Sequence, residues 1–215
     1  MRRLDVRTFV AGGIVVGLAA FAACGGDAPP TIVDGPYAGT AFPAAAPSFT
    51  LPAAYALVSN NGSDDVSVID VALGKTLAHV PIGLSPVDHD GPHHLAVDPV
   101  RGHVFVALAY PLPTIAPGPH AAHASATVAG KLVRLDLPGL TRSGVARTDL
   151  NPGDIVLSDD GARLWVSHYD LRRALTMASQ GIEAQRATLM TWNAADITAD
   201  TPGAAATAIP TCIAP

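Results

Sequence analysis

The chain has 215 residues, a formal net charge of −5, and 14% charged against 49% hydrophobic side chains. That balance excludes nucleic acid as a partner, which demands a basic surface, and no basic run follows the first seven residues. Arg2, Arg3 and Arg7 make a positive start, and an uncharged apolar stretch follows from Phe9 to Phe21. A membrane-spanning helix needs about 20 apolar residues, so this stretch is short for a permanent span. A charged start, a short apolar core and small residues at its end predict a secretory signal peptide over 1–23 and hence an exported protein.

The end of that segment, Phe21-Ala22-Ala23-Cys24, resembles the lipobox of bacterial lipoproteins, in which two small residues precede a cysteine. The resemblance implies lipidation of Cys24 and a membrane partner reached through that lipid anchor. With Gly25 rather than Asp after the cysteine, it implies the outer membrane. The family prefers Leu where Phe21 stands, and Ala20-Phe21-Ala22 also reads as an ordinary small-x-small cleavage site, which would give a periplasmic or plainly secreted protein. Residues 24–52 are crowded with Pro, Ala and Gly and lack a period of 2 or 3.6, so they read as a tether. If Cys24 carries lipid, Cys212 is left without a partner for an internal disulfide.

From residue 53 to 215 the chain repeats itself. Tyr55-Ala56-Leu57-Val58-Ser59-Asn60 aligns with His103-Val104-Phe105-Val106-Ala107-Leu108 and with Arg163-Leu164-Trp165-Val166-Ser167-His168. Pro92-His93-His94-Leu95-Ala96-Val97-Asp98 precedes the second of these as Pro152-Gly153-Asp154-Ile155-Val156-Leu157-Ser158 precedes the third. Turn sequences (Asp98 to Gly102, Ser158 to Gly161) join each pair. Next come Val66-Ser67-Val68-Ile69-Asp70, Leu132-Val133-Arg134-Leu135-Asp136 and Leu189-Met190-Thr191-Trp192-Asn193. A weaker fourth unit follows each of them, at 77–82, around Gly144 to Arg147, and at 207–210. Four short antiparallel strands per repeat make a propeller blade. The segment from Tyr55 to Pro99 resembles the YVTN-type repeat of seven-bladed β-propellers. The expected fold is therefore all-β: a partial propeller of four-stranded antiparallel blades, two to three in number, with insertions at 110–130 and 170–187. The first blade lacks its inner strand. Blades of about 40–45 residues leave too little chain to close a ring, which predicts either truncation or pairing with another chain. An uncovered blade face is expected around Ile155, Leu157 and Val166.

Strands alternate in direction, so the loop leading into a blade and the loop between its second and third strands emerge on one face. That places His89, His93, His94, His120, His123 and His168 together, leaving His79 and His103 elsewhere. Imidazoles gathered there would ligate a transition metal or haem iron, or act as acid and base. Equally, they are exposed loop residues, and His94 opens an inner strand. Neither cysteine lies in a C-x-x-C-H pattern, which excludes covalent haem within this chain. In the second insertion, apolar residues at 171, 174, 175 and 178 predict a small helix capping the blade edge or, alternatively, docking another protein. Trp165 and Trp192 fall in strands and are expected between blades.

Gly-x-Ser-x-Gly is absent, so no nucleophile elbow supports a hydrolase. Two functions stand: a non-catalytic envelope lipoprotein whose loop face meets a protein or glycan, and the propeller part of a periplasmic redox or metal-dependent enzyme. The second follows from resemblance to quinoprotein amine dehydrogenases and cytochrome-linked propellers. The sequence identifies no cofactor.

Overall fold

The computed structural model describes residues 47–84, 90–109, 129–198 and 206–213. They form three antiparallel sheets. The first is β1 (Tyr55–Asn60), β2 (Asp65–Asp70) and β3 (Lys75–Pro81). The second is β4 (Pro92–Asp98), β5 (His103–Leu108), β6 (Lys131–Asp136) and β7 (Thr141–Arg147). The third is β8 (Pro152–Leu157), β9 (Arg163–His168), β10 (Arg186–Asn193) and β11 (Thr207–Ile213). Each sheet pairs its strands in sequence order. The fold is all-β, and these are three successive propeller blades, the first built from second, third and fourth strands. β1 aligns with β5 and β9, and β4 packs against both β1 and β8.

Alternation along the strands sorts side chains to two faces of each blade. On the second blade Val104, Val106, Leu108, Val133, Leu135 and Val145 face the first blade, where they meet Val66, Val68, Ala78 and Val80. Phe105, Ala107, Leu132 and Ala146 face the other way and meet Leu164, Val166 and Trp192 of the third blade. Two apolar interfaces thus hold three blades. The expectation of an uncovered face at Ile155 and Val166 is overturned, because both are buried against the second blade. Leu157 packs partly on the same cluster. The period of two puts their neighbours Val156 and Trp165 on the outward side instead.

The hairpin turns form as the sequence predicts. Asp98 accepts the Val100 and Arg101 N–H groups at 3.1 and 3.0 Å, and Gly102 takes the left-handed conformation at φ +73°. Gly161 does the same at φ +62°, with its N–H bonded to the Ser158 carbonyl at 2.7 Å. Gly144 on β7 has a different reason to be glycine. The backbone at Ile197 and Thr198, after β10, lies where a Cβ would stand, and the Val145 N–H reaches the Thr198 carbonyl at 3.3 Å.

The insertion between β9 and β10 carries α1 (Leu171–Thr176), a 3₁₀ turn (Ala178–Gln180) and α2 (Ile182–Gln185). The expected apolar stripe does not seat as one face. Ala174 is buried, but Ala178 is exposed and Leu175 is 64% exposed. Polar anchoring holds the segment: Asp170 caps α1 by accepting the Arg173 N–H at 2.8 Å. The Arg173 guanidinium reaches Asp170 at 3.1 Å and Asp149 at 3.2 Å. Of the other predicted insertion (110–130), residues 110–128 lie outside the described residues, as do the signal segment and residues 24–46 of the tether.

Candidate functional site

β4 and β8 begin alike. Each starts with a proline preceded by a left-handed residue, Gly91 at φ +60° and Asn151 at φ +49°. The carbonyls of Gly91 and Asn151 accept the N–H of Ala109 and Tyr169, at 3.0 and 3.1 Å, just past the ends of β5 and β9. Pro92 pairs with Leu108 and Pro152 with His168. The next pairs are Leu95 with Val106 and Ile155 with Val166. One extra residue is therefore accommodated in each inner strand, a β-bulge at His93-His94 and another at Gly153-Asp154. Bulges re-aim side chains. Here the His93 and His94 rings meet edge to face with centroids 4.4 Å apart. The carboxylate of Asp154, from the equivalent bulge one blade on, lies 3.5 Å from His94 Nδ1. The His93 carbonyl accepts the Ser59 hydroxyl at 2.6 Å, tying this bulge to the first blade. The Asp154 N–H donates to the Ser167 hydroxyl at 3.1 Å. Asp154 is exposed and His94 half-exposed, whereas His93 is partly buried with its Nδ1 sealed from solvent, so one open imidazole–carboxylate pair stands at one end of two neighbouring inner strands.

His168 is different. Register puts it at the same end of its blade, opposite Pro152, but it occupies the inward-facing position that Leu108 fills in the second blade. It is fully buried. Its Nδ1 donates to the Thr188 carbonyl at 3.0 Å, and its Nε2 accepts the Asp149 N–H at 3.2 Å. Both ring nitrogens are thus engaged by the backbone, which fixes one neutral tautomer. Burial pushes the imidazole below its ordinary pKa, against the pull of the Thr188 hydrogen bond and the Asp149 and Asp170 carboxylates. Asp149 completes the cluster. Burial works to raise its pKa, but the Leu150 N–H, the Thr188 hydroxyl and the charges of Arg173 and His168 outweigh that and hold it low. This buried cluster positions the insertion; it offers no lone pair of His168 to a ligand.

His89, His120 and His123, and the lipidation site Cys24, lie outside the described residues. Cys212 is exposed on β11 with a free thiol. Among the described residues no three His, Cys, Asp or Glu side chains gather closely enough to hold a metal ion.

Sequence reading missed a second polar group, on the first blade. Asn60 donates to Asp65 at 2.5 Å and to Ser67 at 2.6 Å, and His79 Nδ1 lies 3.1 Å from the Ser67 hydroxyl and 3.3 Å from Asp65. Burial works against the Asp65 charge, but hydrogen bonds from Asn60, Ser63 and His79 outweigh it and keep the carboxylate pKa low. Serine and carboxylate meet the same imidazole nitrogen, so no proton relay runs through the ring. Aligning Asn60 with Leu108 would have revealed the group, because a polar residue there replaces a core leucine.

No family model matches the chain, and no curated protein matches it. Solved structures do resemble it. Hydrazine synthase of Kuenenia stuttgartiensis matches at TM-score 0.48 and 16% identity, over 73% of this chain and 34% of that one. The dihydro-heme d1 dehydrogenase NirN matches at 0.45 and 12%, over 73% of this chain and 25% of that one. The periplasmic gluconolactonase PpgL of Pseudomonas aeruginosa matches at 0.40 and 19%, over 65% and 34%. The chain spans between a quarter (25%) and about a third (34%) of the length of these three structures.

Proposed function

We propose that the chain is a YVTN-type propeller lipoprotein, exported and anchored through Cys24 at the cell envelope, in the outer membrane. Its blades serve there as a non-catalytic binding module for a protein or glycan. The observation that carries the reading is the bulge group of His93, His94 and Asp154, whose His94–Asp154 pair is open to solvent at the end of two neighbouring inner strands. It presents recognition chemistry without a buried nucleophile or a proton relay. The histidines of the loop leading into the second blade (His89) and of its insertion (His120, His123) enter the same proposal as further ligands for a transition metal at that face. His168 takes no part in it.

Titration calorimetry of Zn²⁺ into the full-length protein tests the metal chemistry. Ligand imidazoles must be neutral, so affinity falls as pH drops through about 6.5. The double variant His93→Ala with His94→Ala weakens binding at least about tenfold. Equal affinity in variant and parent overturns the assignment. The anchor is tested by incorporation of labelled palmitate, expected in the parent and absent in Cys24→Ser. Release of the parent as a soluble, unlabelled protein beginning at Ala23 overturns it.

A further inference from the structure

Asn61 and Gly62 lie in the exposed turn between β1 and β2. Asn-Gly is favoured in tight hairpins because both residues tolerate the left-handed conformation. This turn does not use that tolerance. The Ser63 N–H closes it on the Asn60 carbonyl at 3.3 Å, and the residue that turns left-handed is Asp64, at φ +54°. Nothing lies within 4 Å of a Cβ placed on Gly62. The fold thus gives no steric reason for glycine here, and the consequence of the pair is chemical. An asparagine side chain is attacked by the backbone nitrogen of the residue after it, and glycine hinders that nitrogen least. The structure sorts the chain's four asparagines by this criterion. Asn151 precedes Pro152, whose nitrogen carries no hydrogen. Asn193 donates to Asp196 at 2.9 Å, and the next nitrogen, of Ala194, is committed to the Ala162 carbonyl at 2.9 Å. The Asn60 amide is held by Asp65 and Ser67, and no glycine follows it. The glycines of Asp90-Gly91 and Asp160-Gly161 are committed too: Gly91 donates to Asp64 at 2.8 Å and Gly161 to the Ser158 carbonyl at 2.7 Å. Among the described residues no group holds the Asn61 amide or accepts the Gly62 N–H.

We propose that Asn61 is a spontaneous modification site: ring closure with Gly62 turns its amide into a carboxylate, and the isoaspartyl product loosens the joint between the first and second blades. The Gly62 nitrogen gives its proton to solvent base and attacks Asn61 Cγ. The bond from Cγ to Nδ2 breaks, ammonia leaves with a proton taken from water, and a five-membered succinimide remains. Water then adds at one of the two ring carbonyls. Opening at Cγ restores the main chain and gives aspartate. Opening at the Asn61 carbonyl carbon routes the main chain through Cγ and gives isoaspartate. Water is gained and ammonia lost, and nothing is oxidised or reduced. The isoaspartyl linkage adds a methylene to the main chain inside the turn that Ser63 closes, just ahead of Asp64. Asp64 is the joint. Its carbonyl accepts the N–H groups of Ile82 and Gly83 at 2.9 and 3.2 Å, and its carboxylate accepts those of Asp90 and Gly91 at 3.1 and 2.8 Å. Those donors end the first blade and open the second, so displacing Asp64 releases both.

The test incubates the folded full chain in mildly alkaline buffer and maps its peptides by mass spectrometry with fragmentation. Residue 61 converts to aspartyl and isoaspartyl forms several-fold faster than Asn60, Asn151 or Asn193. Gly62→Ala slows the conversion several-fold without lowering the melting temperature, since the added Cβ meets nothing. Conversion as fast in Gly62→Ala, or spread equally over the asparagines, overturns the site. Asn61→Asp carries the new charge without the extra methylene, so it separates the two products. The isoaspartyl fraction of the aged parent melts lower than Asn61→Asp and exchanges the amide hydrogens of Ile82, Gly83 and Gly91 faster. Equal melting and exchange in the two overturns the effect on the joint.

Discussion

The His168 imidazole is sealed from solvent and bonded through both ring nitrogens, to the Thr188 carbonyl and the Asp149 N–H. In the repeat alignment it stands at the end of its strand beside a loop, a place suited to a ligand. Its counterpart Leu108 marks the position as inward-facing core, and the buried, doubly bonded imidazole follows from that. Because the folded protein keeps His168 neutral below its ordinary pKa, the unfolded chain takes up a proton first as pH falls. The associated stability is complete above about pH 6.5 and declines below it. Asp149, also held low, acts in the same direction further into the acid range, with its contribution lost as pH falls below about 4. Urea unfolding at pH 7.5 and 5.5 checks this: the parent loses stability on acidification, and His168→Leu flattens the dependence over that window. His168→Ala costs about 2–4 kcal/mol at pH 7.5, since it opens a cavity, removes the imidazole donor to the Thr188 carbonyl and leaves the Asp149 N–H with only the weak Met190 thioether acceptor. An unchanged pH slope in the leucine variant would remove His168 as the cause.

At the scale of elements, strand positions were legible because three copies of the repeat corroborate each other. The fourth strands, weak in pattern, begin or end within a few residues of their expected places. The bulges were not legible. The same spacing in both blades, 12 from Pro92 to Val104 and from Pro152 to Leu164 (104 − 92 and 164 − 152), conceals the extra residue, since nothing in the sequence offers an unbulged copy for comparison. The left-handed residue before each proline was likewise hidden, because one blade uses Gly91 and the other Asn151. Those two share a tolerance of positive φ that other residues lack. Gly91→Ala therefore costs about 1–2 kcal/mol, whereas Gly91→Asn costs measurably less, because asparagine already holds this conformation one blade on. Thermal melts of the two variants decide, and equal losses would point to crowding rather than backbone strain. The insertion helix failed as an apolar stripe for a related reason. Arg173 and its two carboxylates, distant in sequence at 149 and adjacent at 170, hold it in place of the predicted face.

The three described blades form an array in which neighbours stabilise each other, so the second blade, covered on both faces, is its best-protected part. Phe105 and Trp165 occupy equivalent positions, one under the third blade and the other on the outward face. Phe105→Ala removes a ring sealed on all sides and costs about 3–4 kcal/mol. Trp165→Ala removes a partly exposed ring and costs less than about 1.5 kcal/mol in urea unfolding, despite the larger side chain. Hydrogen exchange follows the same gradient. Amides of β5 and β6 exchange slowest. Those of β1 exchange faster than those of β5 and β9, the matching strands, because among the described residues no inner strand flanks β1 and Val58 is 43% exposed where Val106 and Val166 are fully buried. Uniform protection across the three sheets, or equal losses for Phe105→Ala and Trp165→Ala, would mean that the outward faces are covered in solution by something the three blades do not supply.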